Sequence, residues 1–362
     1  MSGKGEKILI YNPGGTSTKV ALYDGEREII KETIQHPPAD PDHYVSPWDQ
    51  LDERQEDLLR WISGIGEDID DINLLVAMCG LTRPSNAGLY WLDEEFLSDV
   101  RSEKYGIHPS NPGCEMIYRV GKKYGIPAIT MDPSNSEEML PVAFYSGHPG
   151  IGRQCSYHVL NHHMVAYKVC AEKLDKKFEE SRLIIVHMGS GITVGAFENG
   201  RVLDVNNGIE GDGPFTTVRS GAVPVGELVE ICFSGKFSAK EVHKQLNGNG
   251  GLMGYLGTTD GREIEARIQA GDEAAKEAVK AMAYQTAKEI GARTVPLKGR
   301  VDAIALTGGL ANWKRLTDGI AGWVSFIAPV YVYPGENELE AMAAGALRGL
   351  RGEEEIKDFG KE

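Results

Sequence analysis

A glycine-rich turn between two apolar runs is the first stretch of the sequence that could do chemistry. The runs read KILIY and KVALYD, and the turn between them carries Gly14, Gly15, Thr16 and Ser17. Glycine lets a ligand approach the backbone closely, and backbone amides together with hydroxyl groups can bind a phosphate. An ordinary hairpin turn has a similar composition, so this stretch alone does not separate a phosphate site from a simple turn.

Two further apolar runs end in glycines in the same way. They read LIIVHMGSG and VDAIALTGG, and their small residues are Gly189, Ser190, Gly191, Gly308 and Gly309. Three unrelated turns are a weaker explanation for this repetition than one shared site. The pattern predicts a single cleft with a nucleotide in it.

Other nucleotide-binding motifs are missing from the sequence. FSGKFS at residues 233–238 has neither the spacing of GxxxxGK[ST] nor a hydroxyl after its lysine. GSGITVG at residues 189–195 is not GxGxxG, and the pattern after it predicts a strand instead of a helix. Both observations argue against a Walker-type ATPase and against an NAD-dependent dehydrogenase.

The elements that must position the first turn alternate between strands and helices. KILIY, KVALYD and REIIKETI predict three strands of a meander. A helix is predicted from Ser46-Pro47, followed by a buried strand in NLLVAMCG. A second helix is predicted from Asn111-Pro112, followed by the strand PAITMDP.

The second half begins with the same kind of pattern. LIIVHM, ITVGAFE and RVLDV predict three strands, with Asn199-Gly200 as a hairpin turn. SAKE at residues 238–241 is a capping-box signature, and DEAAKEAVKAMAYQTAKEIG predicts a long helix that ends at Gly291. VDAIALTGG predicts another buried strand, and the residues after about Leu350 read as a polar tail. The two halves therefore share a pattern of structure without shared residue identity.

Composition limits the class of protein. The chain has 362 residues, 41% of them hydrophobic and 25% charged, as expected for a soluble globular protein of two domains. A net charge of -15 argues against nucleic-acid binding, which needs a basic surface. We expect no membrane span and no secretory signal, and five scattered cysteines without a CxxC pair predict a reducing cytoplasm.

Long strings of the sequence resemble the butyrate kinase family. They include NPGGTSTKVALYD, VHMGSGITVGAFENGRVLDVNN, GDGPFTTVRSG, GLMGYLGTTDGREIE and SFIAPVYVYPGENELEAMAAGALRGLRGEE, and the similarity is densest from about Ser156 to Glu354. That family belongs with acetate kinase in the superfamily of sugar kinases, actin and the large heat-shock chaperones. The resemblance implies an α/β fold with two duplicated ribonuclease-H-like, actin-like ATPase domains and an active site in the cleft between them.

The resemblance also implies a domain arrangement and a reaction. Residues 1–153 plus 338–362 would form the acyl-substrate domain, and residues 154–337 the domain for nucleotide binding and dimerisation. The implied reaction converts butanoate and ATP to butanoyl phosphate and ADP by direct in-line transfer, with Mg²⁺. We expect a homodimer or a larger homo-oligomer, and no membrane partner.

Acetate kinases place functional residues in segments that match this sequence. By that match, Asn12 lies beside the transferring phosphoryl group, and Asp132 lies close to the reaction centre. His158 and His187 contact phosphate, Arg219 is the arginine of the cleft, and Glu338 organises magnesium together with Asn12. Each has a structural alternative. His158 and His187 could be core histidines, and Arg219 a surface cation. Asn12 and Asp132 could be turn residues before proline, and Glu338 an acid stabilised at a helix N-terminus.

One departure from the family concerns the substrate. Kinases of this family usually carry an arginine where this chain has VAMCGLTRPSNAG, at about Met78. Arg83 follows five residues later, and the sequence does not show whether it takes over. A branched-chain or other short-chain fatty acid kinase therefore stays open, as does a nucleotide-binding sensor that has lost kinase activity.

Overall fold

The computed structural model of the protein describes residues 6–36, 46–133, 135–136, 138–208 and 211–361. The strands of this part of the chain are β1 (Lys7–Pro13), β2 (Ser17–Asp24), β3 (Arg27–Gln35), β4 (Leu74–Met78), β5 (Leu89–Trp91), β6 (Ala128–Met131), β7 (Asn135–Ser136), β8 (Cys155–Ser156), β9 (Arg182–Met188), β10 (Ile192–Glu198), β11 (Arg201–Val205), β12 (Ala303–Gly308), β13 (Val330–Pro334) and β14 (Ile356–Lys357).

The α-helices are α1 (Leu51–Gly64), α2 (Glu94–Ser102), α3 (Ser110–Tyr124), α4 (Val159–Val169), α5 (Val225–Phe233), α6 (Ala239–Leu246), α7 (Gly251–Leu256), α8 (Gly261–Gln269), α9 (Glu273–Ala292), α10 (Lys314–Val324) and α11 (Glu338–Arg351). The predicted capping box is present at the start of α6, where Ser238 and Glu241 each bind the other's backbone N–H. Across the described ranges, no helix is long and apolar enough to cross a membrane.

The chain divides into two compact units, Met1–Glu137 with Asn337–Glu362, and Glu138–Glu336. The predicted boundary after residue 153 therefore falls inside the second unit. The preceding segment is bound to β11 and its neighbours, because Leu140 N–H donates to Leu203 O (2.9 Å) and Arg153 Nη1 donates to Asp204 Oδ1 (2.9 Å). The predicted return of the chain at residue 338 lies one residue from the observed one.

The sheet of the first unit has the order β14-β5-β6-β4-β1-β2-β3. The meander β1–β2–β3 is antiparallel as predicted, and its second turn uses Gly25 with a φ of 59°. Strand β4 runs parallel to β1, and β6 runs parallel to β4. Apolar side chains of α1 and α3 complete the core on this sheet, among them Leu58, Trp61, Ile117 and Val120.

The sheet of the second unit has the order β11-β10-β9-β12-β13. The hairpin between β10 and β11 uses Asn199 and Gly200, whose φ angles of 55° and 77° match the favoured two-residue turn. Strand β12 runs parallel to both β9 and β13. Its core includes buried side chains of these strands together with Val279 and Met282 of the long helix α9.

Five strands of the first sheet, β3-β2-β1-β4-β6, share the topology of the second sheet. In each, three antiparallel strands come first, and the next strand joins the first one in parallel. This confirms the predicted duplicated α/β fold. In open sheets of this kind, ligands bind beyond the carboxyl ends of the parallel strands. The glycine-rich turns follow such ends in both units, Asp132 follows β6, and His187 is the second-last residue of β9.

The residues after Leu350 are not the polar tail that their composition predicts. Ile356 pairs with Leu89, so β14 joins the edge of the first sheet beside β5. Phe359 is 2% exposed, and its ring packs edge-on against Tyr90 and Phe96 with centroids 5.7 and 4.9 Å away. Phe359 alone is buried and anchors the segment to the first unit, while its neighbours stay exposed or partly exposed.

Candidate functional site

In the first unit, three strand ends bring the candidate residues to one edge of the sheet. Tyr11 is level with Ala77, and Met78 is level with Met131. Asn12 therefore lies beside Met78 at the end of β4. The sequence alone does not predict that Asn12 and Met78 are neighbours, because this depends on the parallel pairing of β1, β4 and β6.

Asn12 and Glu338 are hydrogen-bonded at this edge. Asn12 Nδ2 donates to Glu338 Oε2 over 2.7 Å, and Lys19 Nζ lies 3.3 Å from the same oxygen. Glu338 is the first residue of α11, after Asn337 in a left-handed conformation with φ 47°. The hydrogen bond uses the amide nitrogen of Asn12, so its Oδ1 remains an oxygen ligand that can face a cation.

Asp132 follows β6 in a strained backbone conformation. Its φ is 51°, which is uncommon for a residue other than glycine and concentrates at functional sites. Two hydrogen bonds to Gly88 fix it: Asp132 N–H donates to Gly88 O (2.9 Å), and Gly88 N–H donates to Asp132 Oδ1 (3.0 Å). The carboxylate is thus held in place and not left on a loose turn.

The glycine-rich turn after β1 is closed by a backbone hydrogen bond, and its tip is exposed to solvent. Gly14 N–H donates to Ser17 O over 2.7 Å, and Gly15 and Thr16 are exposed. A methyl group added at Gly15 would meet no atom of the described residues within 4 Å. The turn therefore leaves room for a ligand directly against its backbone.

In the second unit, β9 and β12 bring two glycine-rich junctions together. Thr307 is level with His187 across the parallel pair. Gly308 has a φ of 87°, and a Cβ at this position would collide with the backbone of Met188. Gly308 must therefore be glycine, because no side chain fits between the two strand ends.

His158 and His187 stack on each other, with ring centroids 3.8 Å apart and an angle of 13° between the planes. His187 Nδ1 lies 2.8 Å from Asn161 Oδ1, and Asn161 Nδ2 donates to Glu336 O over 2.9 Å. The second bond fixes the orientation of the asparagine amide, so its oxygen accepts from His187. Neutral His187 therefore carries its ring proton on Nδ1 and leaves Nε2 as an acceptor.

Thr193 links His158 to a second, fully buried histidine. Its Oγ1 lies 2.9 Å from His158 Nδ1 and 2.9 Å from His162 Nε2. Burial, with the charge of Arg219 adding to it, lowers the pKa of His158 to about 4. Burial also lowers the pKa of His187 and of His162 well below 6.5, so all three rings are neutral at pH 7.

Arg219 lies against His158 and the Gly189–Gly191 junction. Its Nη1 donates to Gly208 O, and a Cβ at Gly191 would collide with the guanidinium and contact the ring of His158. Thr216 fixes the loop, since Arg219 N–H donates to Thr216 Oγ1 (3.0 Å) and Thr216 Oγ1 donates to Ser190 O (2.7 Å). Burial lowers the pKa of Arg219.

A cavity of about 490 Å³ adjoins Gly309 in the second unit. Part of its wall is apolar, from Leu310 and Trp313, and the rest is polar or charged, from Asn312, Gln269, Asp260, Arg262 and Glu265. A cavity that combines apolar walls with polar groups suits a planar, hydrogen-bonding ligand. The cavity lies beside Gly309, one of the glycines for which the sequence predicts a nucleotide.

The donors near Asn12 fit a divalent metal that is bound mainly through the nucleotide. The described residues contain no group of three or more histidine, cysteine, aspartate or glutamate side chains able to hold a metal. Mg²⁺ usually takes one or two protein oxygens and completes its shell with phosphates and water. The carboxylate of Glu338 and Oδ1 of Asn12 are donors of that kind.

Arg83 does not take the place of the arginine that is missing at Met78. Its guanidinium pairs with Glu95 (3.0 Å) and Asp99 (3.5 Å) and stacks over the ring of Phe359 at 4.4 Å. The end of β4 is instead formed by Met78 and Cys79, and burial keeps the Cys79 pKa well above its usual value. The two residues at the end of β4 are therefore uncharged, where the resemblance implies an arginine.

Comparison with known families decides the broad class. Residues 128–316, just over half of the chain, match the model of the acetokinase family. The chain belongs to the acetokinase family. Acetokinases are carboxylate kinases that use ATP with a divalent metal.

Solved acetokinase structures share the fold along nearly the whole chain. Acetate kinase of Porphyromonas gingivalis has a TM-score of 0.78 at 20% identity, covering 95% of this chain and 99% of that one. Acetate kinase of Entamoeba histolytica has a TM-score of 0.74 at 15% identity, with coverages of 94% and 98%. A propionate kinase of Francisella tularensis subsp. tularensis SCHU S4 has a TM-score of 0.72 at 18% identity, with coverages of 93% and 98%.

The structure groups the sequence-predicted residues within each unit and adds others. Asn12, Glu338, Asp132 and the first glycine turn belong to the first unit, and the histidines, Arg219 and the other glycines belong to the second. Sequence reasoning missed the supporting residues Arg54, Asn161, Thr193, Gly208 and Thr216. A signal existed for Arg54, a cation on the apolar face of the predicted helix α1.

Proposed function

We propose that this acetokinase is a butyrate kinase, which converts butanoate and ATP to butanoyl phosphate and ADP. The observation that carries the choice of acid is the resemblance of long strings of the sequence to butyrate kinases, and the uncharged end of β4 is compatible with an apolar acyl chain. Met78, Cys79 and the adjacent Met131 supply apolar or neutral groups there. Each methylene buried is worth about 0.8 kcal/mol, so two more carbons favour butanoate over acetate by up to about 15-fold.

The transfer needs no strong general base. A carboxylic acid has a pKa of about 4 to 5, so its carboxylate is already a nucleophile at pH 7. One carboxylate oxygen forms a bond to the γ-phosphorus, while the bond from that phosphorus to the β–γ bridging oxygen breaks. The electron pair leaves with ADP, and no proton is transferred.

Because two anions react, catalysis depends on positioning and positive charge. Arg219 offers a planar, permanently charged donor set for phosphoryl oxygens. Neutral His158 donates a hydrogen bond from Nε2 when Thr193 donates to its Nδ1. Neutral His187 presents an acceptor at Nε2, so we assign it to orienting the stacked ring of His158 and not to donating to phosphate.

Residues of the first unit serve the metal and the terminal phosphoryl group. Glu338 and Oδ1 of Asn12 would hold Mg²⁺, which when bound neutralises phosphate charge. Asp132 is fixed by Gly88, and we assign it to the same hydrated cation. The turn at Gly14–Ser17 offers amides and hydroxyls to phosphate oxygens.

The first test supplies purified protein with ATP, Mg²⁺ and separate acids from acetate to hexanoate, including isobutyrate and isovalerate. Hydroxylamine traps any acyl phosphate as a coloured hydroxamate, and Arg219→Ala controls for contaminating kinases. A signal that peaks at butanoate and is lost in the variant supports the proposal. A peak at acetate, propanoate or a branched acid assigns the enzyme to that acid instead.

The neutral end of β4 also favours a second candidate, a nucleotide-binding sensor without kinase activity. Arg83 is held by Glu95 and Asp99, so it does not restore the missing charge. A protein that binds ATP but forms no acyl phosphate from any acid would support this candidate. The retained set of Asn12, Asp132, His158, Arg219 and Glu338 favours the kinase, because a pure sensor does not need all of it.

We further propose that the protein forms a homodimer through α5. This helix reads VGELVEICF and has no buried residue; Val225, Val229, Ile231 and Phe233 are 72%, 46%, 39% and 85% exposed. An apolar helix face of this kind is typical of a subunit interface. Light scattering of Phe233→Glu tests it: a monomer where the wild type is a dimer supports the interface.

We also propose a cytoplasmic location. All five cysteines are free thiols, as is usual in a reducing compartment.

A further inference from the structure

Arg54 is a cation buried on the inner face of α1. The residue is only 7% exposed and shares this face with Leu51 and Leu58. Burying a guanidinium is costly unless its N–H groups all find acceptors. The contacts that meet this cost show what Arg54 does.

Two of the hydrogen bonds of Arg54 go to the glycine-rich turn, and a third goes to Thr18 at the start of β2. Nη1 donates to Gly14 O (2.9 Å) and Thr18 Oγ1 (3.3 Å), and Nη2 donates to Gly15 O (2.7 Å). Nε donates to Gln50 Oε1 over 2.9 Å. These four acceptors are all neutral, so none of them cancels the positive charge of the guanidinium.

This arrangement determines which way the turn's amides point. In a trans peptide the N–H points opposite to the C=O of the same plane. One guanidinium holds the oxygens of Gly14 and Gly15, so the N–H groups of Gly15 and Thr16 point away from Arg54. The next peptide is also fixed, because His36 N–H donates to Thr16 O over 3.0 Å.

Among the described residues, none covers the outward side of the turn. Gly15 and Thr16 are exposed, and a Cβ at Gly15 would meet no described atom within 4 Å. Successive amides that point into open space form a site for an anion. The buried charge behind them adds to its attraction for a phosphate.

From these contacts we infer that Arg54 is a positioning residue for the terminal phosphoryl group of ATP. It holds the amides of Gly15 and Thr16 outward, and it supplies a positive charge behind the turn without touching the substrate. This inference rests on the proposed function and adds to it a residue outside the glycine motif. A purely structural role, joining α1 to the first hairpin, is the competing explanation.

Two substitutions separate the charge of Arg54 from its forked geometry. Arg54→Lys keeps the charge but cannot hold both carbonyls, and Arg54→Gln keeps an amide donor but removes the charge. Arg60→Gln is the matched control, because Arg60 lies on the same helix with its side chain 73% exposed. Calorimetry measures the affinity of each for Mg²⁺ with ADP and with a non-hydrolysable ATP analogue.

The inference predicts a loss specific to the third phosphate. Affinity for the ATP analogue should fall about tenfold in Arg54→Lys and further in Arg54→Gln, while affinity for ADP changes less than threefold. KM for ATP should rise accordingly, with KM for the acid within twofold of wild type. Arg60→Gln should match wild type in every measurement.

Other outcomes overturn the inference. Equal losses for both nucleotides, or a lower melting temperature with unchanged affinities, would show that Arg54 acts only structurally. A wild-type protein that binds neither nucleotide would also overturn it. If wild type binds the analogue but phosphorylates no acid, the proposed reaction fails, and the affinity comparison still decides the role of Arg54.

Discussion

Asn12 Nδ2 lies 2.7 Å from Glu338 Oε2, although the two residues are 326 positions apart in the chain. The contact joins the end of the first strand to the start of the last α-helix. Lys19 approaches the same carboxylate oxygen at 3.3 Å. We infer that these residues hold the Glu338 carboxylate in position for the hydrated metal.

Replacing Glu338 by glutamine should remove the charge and keep the size of the side chain. We expect kcat to fall at least 100-fold and the Mg²⁺ concentration for half-maximal rate to rise, because an amide binds Mg²⁺ more weakly than a carboxylate. Hydroxamate formation at a series of Mg²⁺ concentrations measures both. Glu340→Gln, in the same first turn of α11, should leave them unchanged. Equal effects of the two substitutions would mean that only the helix dipole is involved.

Arg219 is expected to stabilise the charge of the phosphoryl group in transit. Arg219→Ala should lower kcat about 10³-fold or more, the size of effect seen for arginines that contact a transferring phosphoryl group. Arg219→Lys should recover only part of this loss, since an ammonium group lacks the planar fork. Initial rates of hydroxamate formation test both, with exposed Arg201→Ala as the control. A lysine variant within threefold of wild type would show that charge alone is sufficient.

The sequence predicted the two antiparallel meanders, the strands β4, β6 and β12 and the helices α1, α3, α6 and α9, but not β5, α2 or β14. The roles of the candidate residues stay predictions. Most of the correct predictions rest on local signals, namely the apolar runs, the Asn199-Gly200 turn and the capping box at Ser238. These signals work because strands, turns and caps are determined by neighbouring residues. The resemblance to a family then supplied the roles of the residues.

Contacts between distant parts of the chain could not be predicted in this way. Phe359 sits among charged residues, and its burial depends on a pocket formed by Tyr90 and Phe96. Arg54 and Thr193 act through hydrogen bonds to residues 39 and 31 positions away. Arg83 lies near Met78 in sequence, yet its acidic neighbours on α2 draw it elsewhere.

Thr193 should fix the ring orientation of His158. Thr193→Val removes the hydroxyl between two buried imidazoles, and we expect kcat to fall about tenfold and stability to fall by about 1–3 kcal/mol, because both rings lose a partner. Thr193→Ser should restore both. Thr286→Val removes another buried hydroxyl, bonded to Met282 O, and should cost stability without changing kcat. Urea unfolding and initial rates separate the two effects; a wild-type kcat in Thr193→Val would exclude the orienting role.

His158 should make the protein less stable as the pH falls. Its pKa is about 4 in the folded protein and about 6.5 when unfolded, so below pH 6.5 the unfolded chain binds the proton more strongly. The contribution of His158 to the free energy of unfolding is therefore full above pH 6.5, where the ring is neutral in both states, and is lost progressively as the pH falls to 4. Between pH 7 and pH 4.5, the free energy of unfolding should drop by about 2 kcal/mol more in wild type than in His158→Gln. Urea unfolding at both pH values measures this difference, with His243→Gln on the exposed face of α6 as the control. If His158→Gln shows the same drop as wild type, the folded protein does not hold His158 neutral, and its proposed role as a neutral donor fails.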